Sequence, residues 1–505
     1  MFDINEAIAD SRLAFLQEQY EKALKLAEMA LAEDNKNADA HQCAANVYMS
    51  KADYENAIKH YAKAVENDAT NGDRYFSLAY AYASDNQQVK ALEMFAKADE
   101  VGCSPNVVGQ LYKIMAMVCF ELQRYQDAIL NFIKSEKIIG IDMDVLQRKA
   151  LCYAMSGDTS SGIEVANQMK LLAPTDYMGY RIAFNILLQE NRLEEAEKEL
   201  DRAERFAKPV KELFLDWVTY KSARYQLEHN RQLLNDAIDA LFKGSCVIKP
   251  KVGDIIEFYV QAAELYVQLE DADMALNCLH AAENPIQSYN YGFTIKRFVE
   301  YELKSEGRPS SQEVDRVVAE IRRKYGDRRL EAMGRQSSLR TRTLVPDAEK
   351  YITPLSEKPD EEDAIPKLDS SEKAQYSFDM LDRMYRLYVS AYTIKNDLPG
   401  IKAYAAKLAN SSNPQSKYVG KYSLVRALKQ EGYEKAEEEY RDLLKMLRNA
   451  MIKNPADLTV LSLRAQCHVD LGEFDEAEEL CKMLSDDLAT PLREQIEAAR
   501  TGGDS

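Results

Sequence analysis

Small apolar residues recur along the first 210 residues with a fixed long period. The segments QYEKALKLAEMAL (19–31), DYENAIKHYAKAV (53–65) and QVKALEMFAKA (88–98) align through Ala23, Ala57 and Ala91, which stand 34 residues apart. The register continues through Ala128, Gly162 and Ala196 at spacings of 37, 34 and 34. A period in this range marks stacked supersecondary units rather than a single globule. Side chains no larger than alanine let two helices approach closely where they cross, and aromatic residues fill the adjoining gaps. The pattern therefore predicts an all-α stack of helical hairpins.

The positions around each alanine carry a resemblance to a known family. In the second copy they hold Ala44-Ala45, Tyr48, Tyr54, Ala57, Tyr61 and Ala64; in the third, Leu78-Ala79, Tyr82, Gln88, Ala91, Phe95 and Ala98. This resembles the tetratricopeptide repeat, a 34-residue helix-turn-helix unit, over residues 4–210. The resemblance implies an α-solenoid, a right-handed superhelix whose first helices line a concave groove for peptide ligands. Some positions depart from the family. Gly162 keeps the small volume at a cost of about 1 kcal/mol in helix propensity. Phe184 fills a small position in the sixth copy, which predicts a wider helix crossing there. Pro174 matches the closing proline, which Asn35, Ala69 and Cys103 replace elsewhere.

Beyond residue 210 the register loosens. Residues 211–326 read as divergent helical pairs: Glu212–Leu227 and Gln232–Phe242, an irregular stretch Lys243–Gly253, then one repeat at 256–289 carrying Ala262-Ala263, Tyr266, Ala275, Leu279 and Ala282. Further helices are expected at Tyr291–Lys304 and Ser311–Tyr325. Between 327 and 369 periodicity gives way to a flexible charged linker, basic at Arg328, Arg329, Arg335, Arg340 and Arg342, acidic at 357–363. A second repeat array follows over 370–490, with Gly400, Ala436 and Ala477 at small positions, and 491–505 reads as a helix end and disordered tail. The expected fold is two arrays joined by a linker.

Charge and chemistry narrow the function. Against 65 Lys and Arg stand 83 Asp and Glu, a net charge of −18 that repels nucleic-acid phosphates. The longest apolar run, Ile114–Phe120, falls far short of the ~20 residues of a membrane helix, and the start carries no signal-peptide pattern. A soluble cytoplasmic protein without membrane contact is expected. Eight scattered cysteines without a C-x-x-C pair read as reduced thiols. Phosphate-loop, dinucleotide, zinc-protease and nucleophile-elbow motifs do not occur, so no enzyme activity, cofactor or metal is expected. Cys467-His468 and the Cys278/His280 pair sit too close in sequence to face each other on a helix, where neighbours diverge by about 100°. Cys246, among Lys243, Lys249 and Lys251, reads either as a reactive thiol or, more simply, as a surface cysteine. Ser337 and Ser338 beside Arg335, Arg340 and Arg342 suit kinase docking or a plain tether.

The remaining hypothesis is a binding groove. Counting from the motif, its lining residues are Gln42 and Asn46, Phe76 and Tyr80, Lys113 and Met117, Arg148 and Leu151, Arg181 and Asn185. Lys113, Arg148 and Arg181 suit the carboxylates of an extended peptide, and Phe76, Tyr80 and Met117 its apolar side chains; the alternative is an ordinary surface. The clamp by which some family members hold chaperone tails is missing, since its places carry Ile8, Arg12, Cys43, Asp73 and Ser77. The reading is a non-catalytic protein–protein interaction scaffold binding a protein or peptide partner. The alternative is a regulatory or chaperone-type repeat protein serving an enzyme or secretion system.

Overall fold

A computed structural model describes residues 3–286 apart from Lys249, and 371–501 apart from Glu372. The helices expected at 291–304 and 311–325, the linker at 327–369 and the serines at 337–338 lie outside the described residues. Among the described residues are 23 helices and no strand. They pair in chain order as hairpins: α1 (Ile4–Leu16) with α2 (Tyr20–Glu33), α3 (Ala38–Ser50) with α4 (Tyr54–Asn67), α5 (Gly72–Ser84) with α6 (Gln88–Val101), α7 (Pro105–Glu121) with α8 (Tyr125–Ile139), α9 (Met143–Met155) with α10 (Thr159–Leu172), and α11 (Met178–Gln189) with α12 (Leu193–Phe206). These six hairpins make a first compact unit, Met1–Lys208.

Local chemistry sets the helix ends. Asp3, Asn37, Asp53, Asn71, Asp142 and Asp158 cap helix N-termini by accepting backbone N–H groups that lack a partner within the helix. Inside the hairpins the chain reverses through one left-handed residue, at Glu18, Ala52, Asn86, Gln123, Gly157 and Asn191. That conformation returns backbone N–H groups to the last turn of the first helix; Asp53 N donates to Tyr48 O at 2.9 Å.

The period-defining alanines lie at the helix crossings. Ala23, Ala57, Ala91, Ala128 and Ala196 are all wholly buried. A Cβ on Gly162 would meet Ile186 Cδ1 at 2.9 Å, so this hairpin uses the one residue smaller than alanine. Phe184 is wholly buried as well, accommodated as a core side chain.

The second unit, Pro209–Ser505, holds α13 (Lys211–Glu228), α14 (Arg231–Val247), α15 (Val252–Gln268), α16 (Ala272–Glu283), α17 (Phe378–Ile394), α18 (Leu398–Ala409), α19 (Pro414–Gln430), α20 (Ala436–Lys453), α21 (Leu458–Leu471), α22 (Phe474–Cys481) and α23 (Asp486–Thr501). One core joins Phe214, Leu234, Ile255, Tyr266 and Leu279 to Met384 and Tyr388. Helix α17 thus packs on α15 and α16 although the intervening chain is long. Tyr376 Oη donates to Ala282 O at 2.7 Å, and Arg383 pairs with Glu264. The helices before and after residues 287–370 therefore share one body, where the sequence pattern placed a break between arrays.

Two local expectations are corrected. The stretch 243–253 is largely helical: α14 runs to Val247 and α15 starts at Val252. A Cβ at Gly244 would lie 2.6 Å from Phe214 Cγ, so the glycine serves close packing rather than a loop. In α18 the small position belongs to Ile401, which is 5% exposed and follows the left-handed Asn396 by the same five residues that separate Ala52 from Ala57. Gly400 instead lies against the Tyr392 ring, 2.4 Å from where its Cβ would be. At the C-terminus, α23 extends through residues 491–501 and buries Ala489, Leu492 and Ile496, covering the last hairpin.

Candidate peptide-binding face

Five residues at one repeat place, Asn46, Tyr80, Met117, Leu151 and Asn185, form a row along the first helices of the first unit. Tyr80 is 45% exposed and stacks on Phe76, with ring centroids 6.4 Å apart; Phe76 in turn packs against Phe95. Leu151 is 37% exposed and Asn185 is also exposed, while Met117 is half-buried against the core. Asn46 Oδ1 accepts from Tyr61 Oη at 2.7 Å, and Gln42 Nε2 donates to Ser77 Oγ at 2.9 Å. These two amides bind neighbouring helices.

The three cations expected along the groove differ in their settings. Lys113 Nζ lies 2.5 Å from Asp142 Oδ2 and holds that carboxyl below its usual range. Arg148 is exposed but stands one residue past the place of Gln42, Phe76, Lys113 and Arg181; Gln147 holds that place, and one helical residue turns a side chain by about 100°. Arg181 is half-buried.

Other cations of this unit serve the stacking of repeats. Asp39 Oδ1 receives Arg12 at 2.9 Å and Arg74 at 3.0 Å, and Arg74 Nε also reaches Asp68 at 3.0 Å, linking three hairpins. Lys149 meets Glu136 at 2.7 Å, and Lys170 meets Glu199 at 2.6 Å. Each pair joins a second helix to a first helix of the next hairpin or to the following second helix. Two histidines add a further contact. His41 Nδ1 lies 3.0 Å from His60 Nδ1, and His41 Nε2 lies 3.1 Å from Asn35 O. The carbonyl requires Nε2–H on His41, so His60 donates to His41.

The second unit holds cations that the loose sequence register missed. Counting back from Asn396 places Arg386 on α17 at the same repeat place as Gln42. Its Nη2 donates to Ser416 Oγ at 2.7 Å, and its buried Nε has no acceptor. Helix α19 carries Lys417, Lys421, Arg426 and Lys429 without one Asp or Glu. Nearby, Asp470 Oδ2 accepts from both Tyr422 Oη at 2.8 Å and Tyr440 Oη at 2.9 Å, and burial pushes both phenols up.

The cysteine–histidine combinations separate. Cys467 is buried, its thiol pushed up to about 12, whereas His468 turns to Glu473 at 2.6 Å. Cys278 is buried, and His280 Nδ1 lies 3.0 Å from Tyr388 Oη. The Cys246 side chain lies outside the described residues. Among the described residues no group of three or more His, Cys, Asp or Glu could hold a metal ion, and no helix is long and apolar enough to cross a membrane.

Two family patterns match the chain. The family described as anaphase-promoting complex, cyclosome, subunit 3 matches residues 50–135, and the tetratricopeptide repeat matches residues 425–486. The buried alanine register agrees with these matches: the matched segments carry tetratricopeptide-type helical hairpins, a repeat that in general serves protein–protein interaction.

Solved structures with similarity include YrrB, described as a TPR protein with an unusual peptide-binding site, at 21% identity over 35% of this chain and 90% of that one, TM-score 0.32. A tetratricopeptide repeat protein from Parabacteroides merdae ATCC 43184 matches at 15% identity, covering 46% and 91%, TM-score 0.34. The C-terminal part of a TPR repeat-containing protein from Cytophaga hutchinsonii matches at 14%, covering 54% and 95%, TM-score 0.36. No curated protein matches.

Proposed function

We propose that this protein is a non-catalytic scaffold whose first-unit helices α3, α5, α7, α9 and α11 hold an extended peptide segment of a partner protein. The observation that carries the reading is the row at one repeat place, in which Tyr80 and Leu151 are exposed while Asn46 and Met117 are held by their neighbours. Apolar anchors at fixed intervals on a rigid stack supply binding energy, and flanking amides supply orientation. Because Lys113 is already paired, apolar contact rather than a cationic wall is the main source of affinity.

The test is selection of binding peptides from a random library on the intact chain, followed by affinity measurement with a Tyr80→Ser, Leu151→Ser double variant. A loss of about tenfold or more is expected, with the helical circular dichroism unchanged. Full affinity in a folded double variant would remove this face from consideration.

A further inference from the structure

Near the C-terminus, one cation between hairpins meets a thioether where its counterpart in the first unit meets a carboxylate. Lys149 is the seventh residue of α9 and reaches back to Glu136 on α8, with both carboxylate oxygens at 2.7 Å. Arg464 is the seventh residue of α21 and reaches back to α20 in the same way. What it meets there is Met451: its Nη1 lies 2.8 Å from the thioether sulfur, and its buried Nε has no acceptor.

The next residue on that face of α20 makes the mismatch larger. Arg448 precedes Met451 by three residues and so lies on the same side of the helix. It is exposed, and no ion pair is formed by it among the described residues. Burial and the Arg448 charge both push the Arg464 guanidinium down from its ordinary pKa, and no carboxylate acts on it. A chain with 83 acidic residues has carboxylates in surplus, yet leaves two guanidinium groups together without one. A buried donor left without an acceptor is costly, which is why native structures seldom retain one.

We propose that Arg464 and Arg448 form an oxyanion site between α20 and α21, in which a ligand carboxylate or phosphate takes the place that Glu136 takes beside Lys149. Arginine suits this task because its planar fork presents parallel N–H donors to two oxygens of one anion. Arg464 Nε, with a neighbouring terminal nitrogen, supplies the fixed fork, and Arg448 closes from the solvent side. The half-buried Met451, its sulfur 2.8 Å from Arg464 Nη1, is the apolar neighbour of this site. This site is separate from the Tyr80–Leu151 row, so each can fail without the other.

The experiment is thermal unfolding of the full chain in sodium phosphate against sodium chloride at matched ionic strength, and in chloride with a hexaglutamate peptide. Near 100-fold excess over Kd, the bound anion should raise Tm on the order of 5 °C. Arg464→Leu should abolish the rise, and Arg448→Gln, at an exposed position, should weaken anion affinity by roughly tenfold while leaving Tm in chloride unchanged. A rise with phosphate alone identifies a phosphate-bearing ligand, and a rise with hexaglutamate alone a carboxylate-bearing one. Equal rises in wild type and both variants, or no rise with either probe, would overturn the proposal. Should Arg464→Leu fail to fold, the Arg448→Gln comparison decides alone.

Discussion

At the scale of single residues, the His41–His60 contact couples the second hairpin to pH. Burial, followed by the charges of His41 and Lys63, depresses His60 from the ordinary imidazole value of 6.5 to about 4. His41 is lowered by burial and by Lys63, opposed by the Asn35 carbonyl and Asp34. Between about pH 4 and 6.5 the unfolded chain therefore binds more protons than the folded one. The contribution is fully present above pH 6.5 and is lost as pH falls toward 4. Tm of the first unit should drop across that window, and His60→Gln should flatten the drop. A pH dependence identical in the variant would assign the effect to other groups.

At the scale of the hairpin, the turn residue is a reserve of stability. Every described hairpin turns through a residue with positive φ, yet many of these residues are not glycine. Ala52 has φ 57°, where its Cβ crowds the following carbonyl at a cost of about 1 kcal/mol. Ala52→Gly should stabilise the first unit by roughly that amount, read as a higher urea midpoint with an unchanged m-value. Gly157→Ala, at φ 84°, should shift it the opposite way.

At the scale of the molecule, the helices on either side of residues 287–370 pack into one core. That core contains Tyr388 stacked on Tyr404 with ring centroids 3.9 Å apart, His280 against Tyr388, and the Tyr376 hydrogen bond to Ala282. Those contacts hold α16 beside α17 irrespective of what connects them. Replacing residues 290–368 by a Gly-Ser linker of about 12 residues should leave cooperative unfolding of α13–α23 intact, since loop length changes stability only slowly. Loss of the cooperative transition would show that residues 290–368 contribute to the core.

The hairpin repeat was legible because its cause is local: a crossing that tolerates only small side chains writes Ala23, Ala57, Ala91, Ala128 and Ala196 into the chain at a constant interval. Each is wholly buried. Charge pairing was not legible, because Lys113 and Asp142, or Arg383 and Glu264, meet only when hairpins stack, and no interval in the chain encodes that meeting. For the same reason Ile401 and Arg386 fell out of register, where bulky side chains replace the alanine signal. Composition and periodicity by themselves determined an all-α repeat protein; which cations are answered by carboxylates, and that α17 packs on α15 and α16, was decided by tertiary packing, which alone brings distant residues within reach.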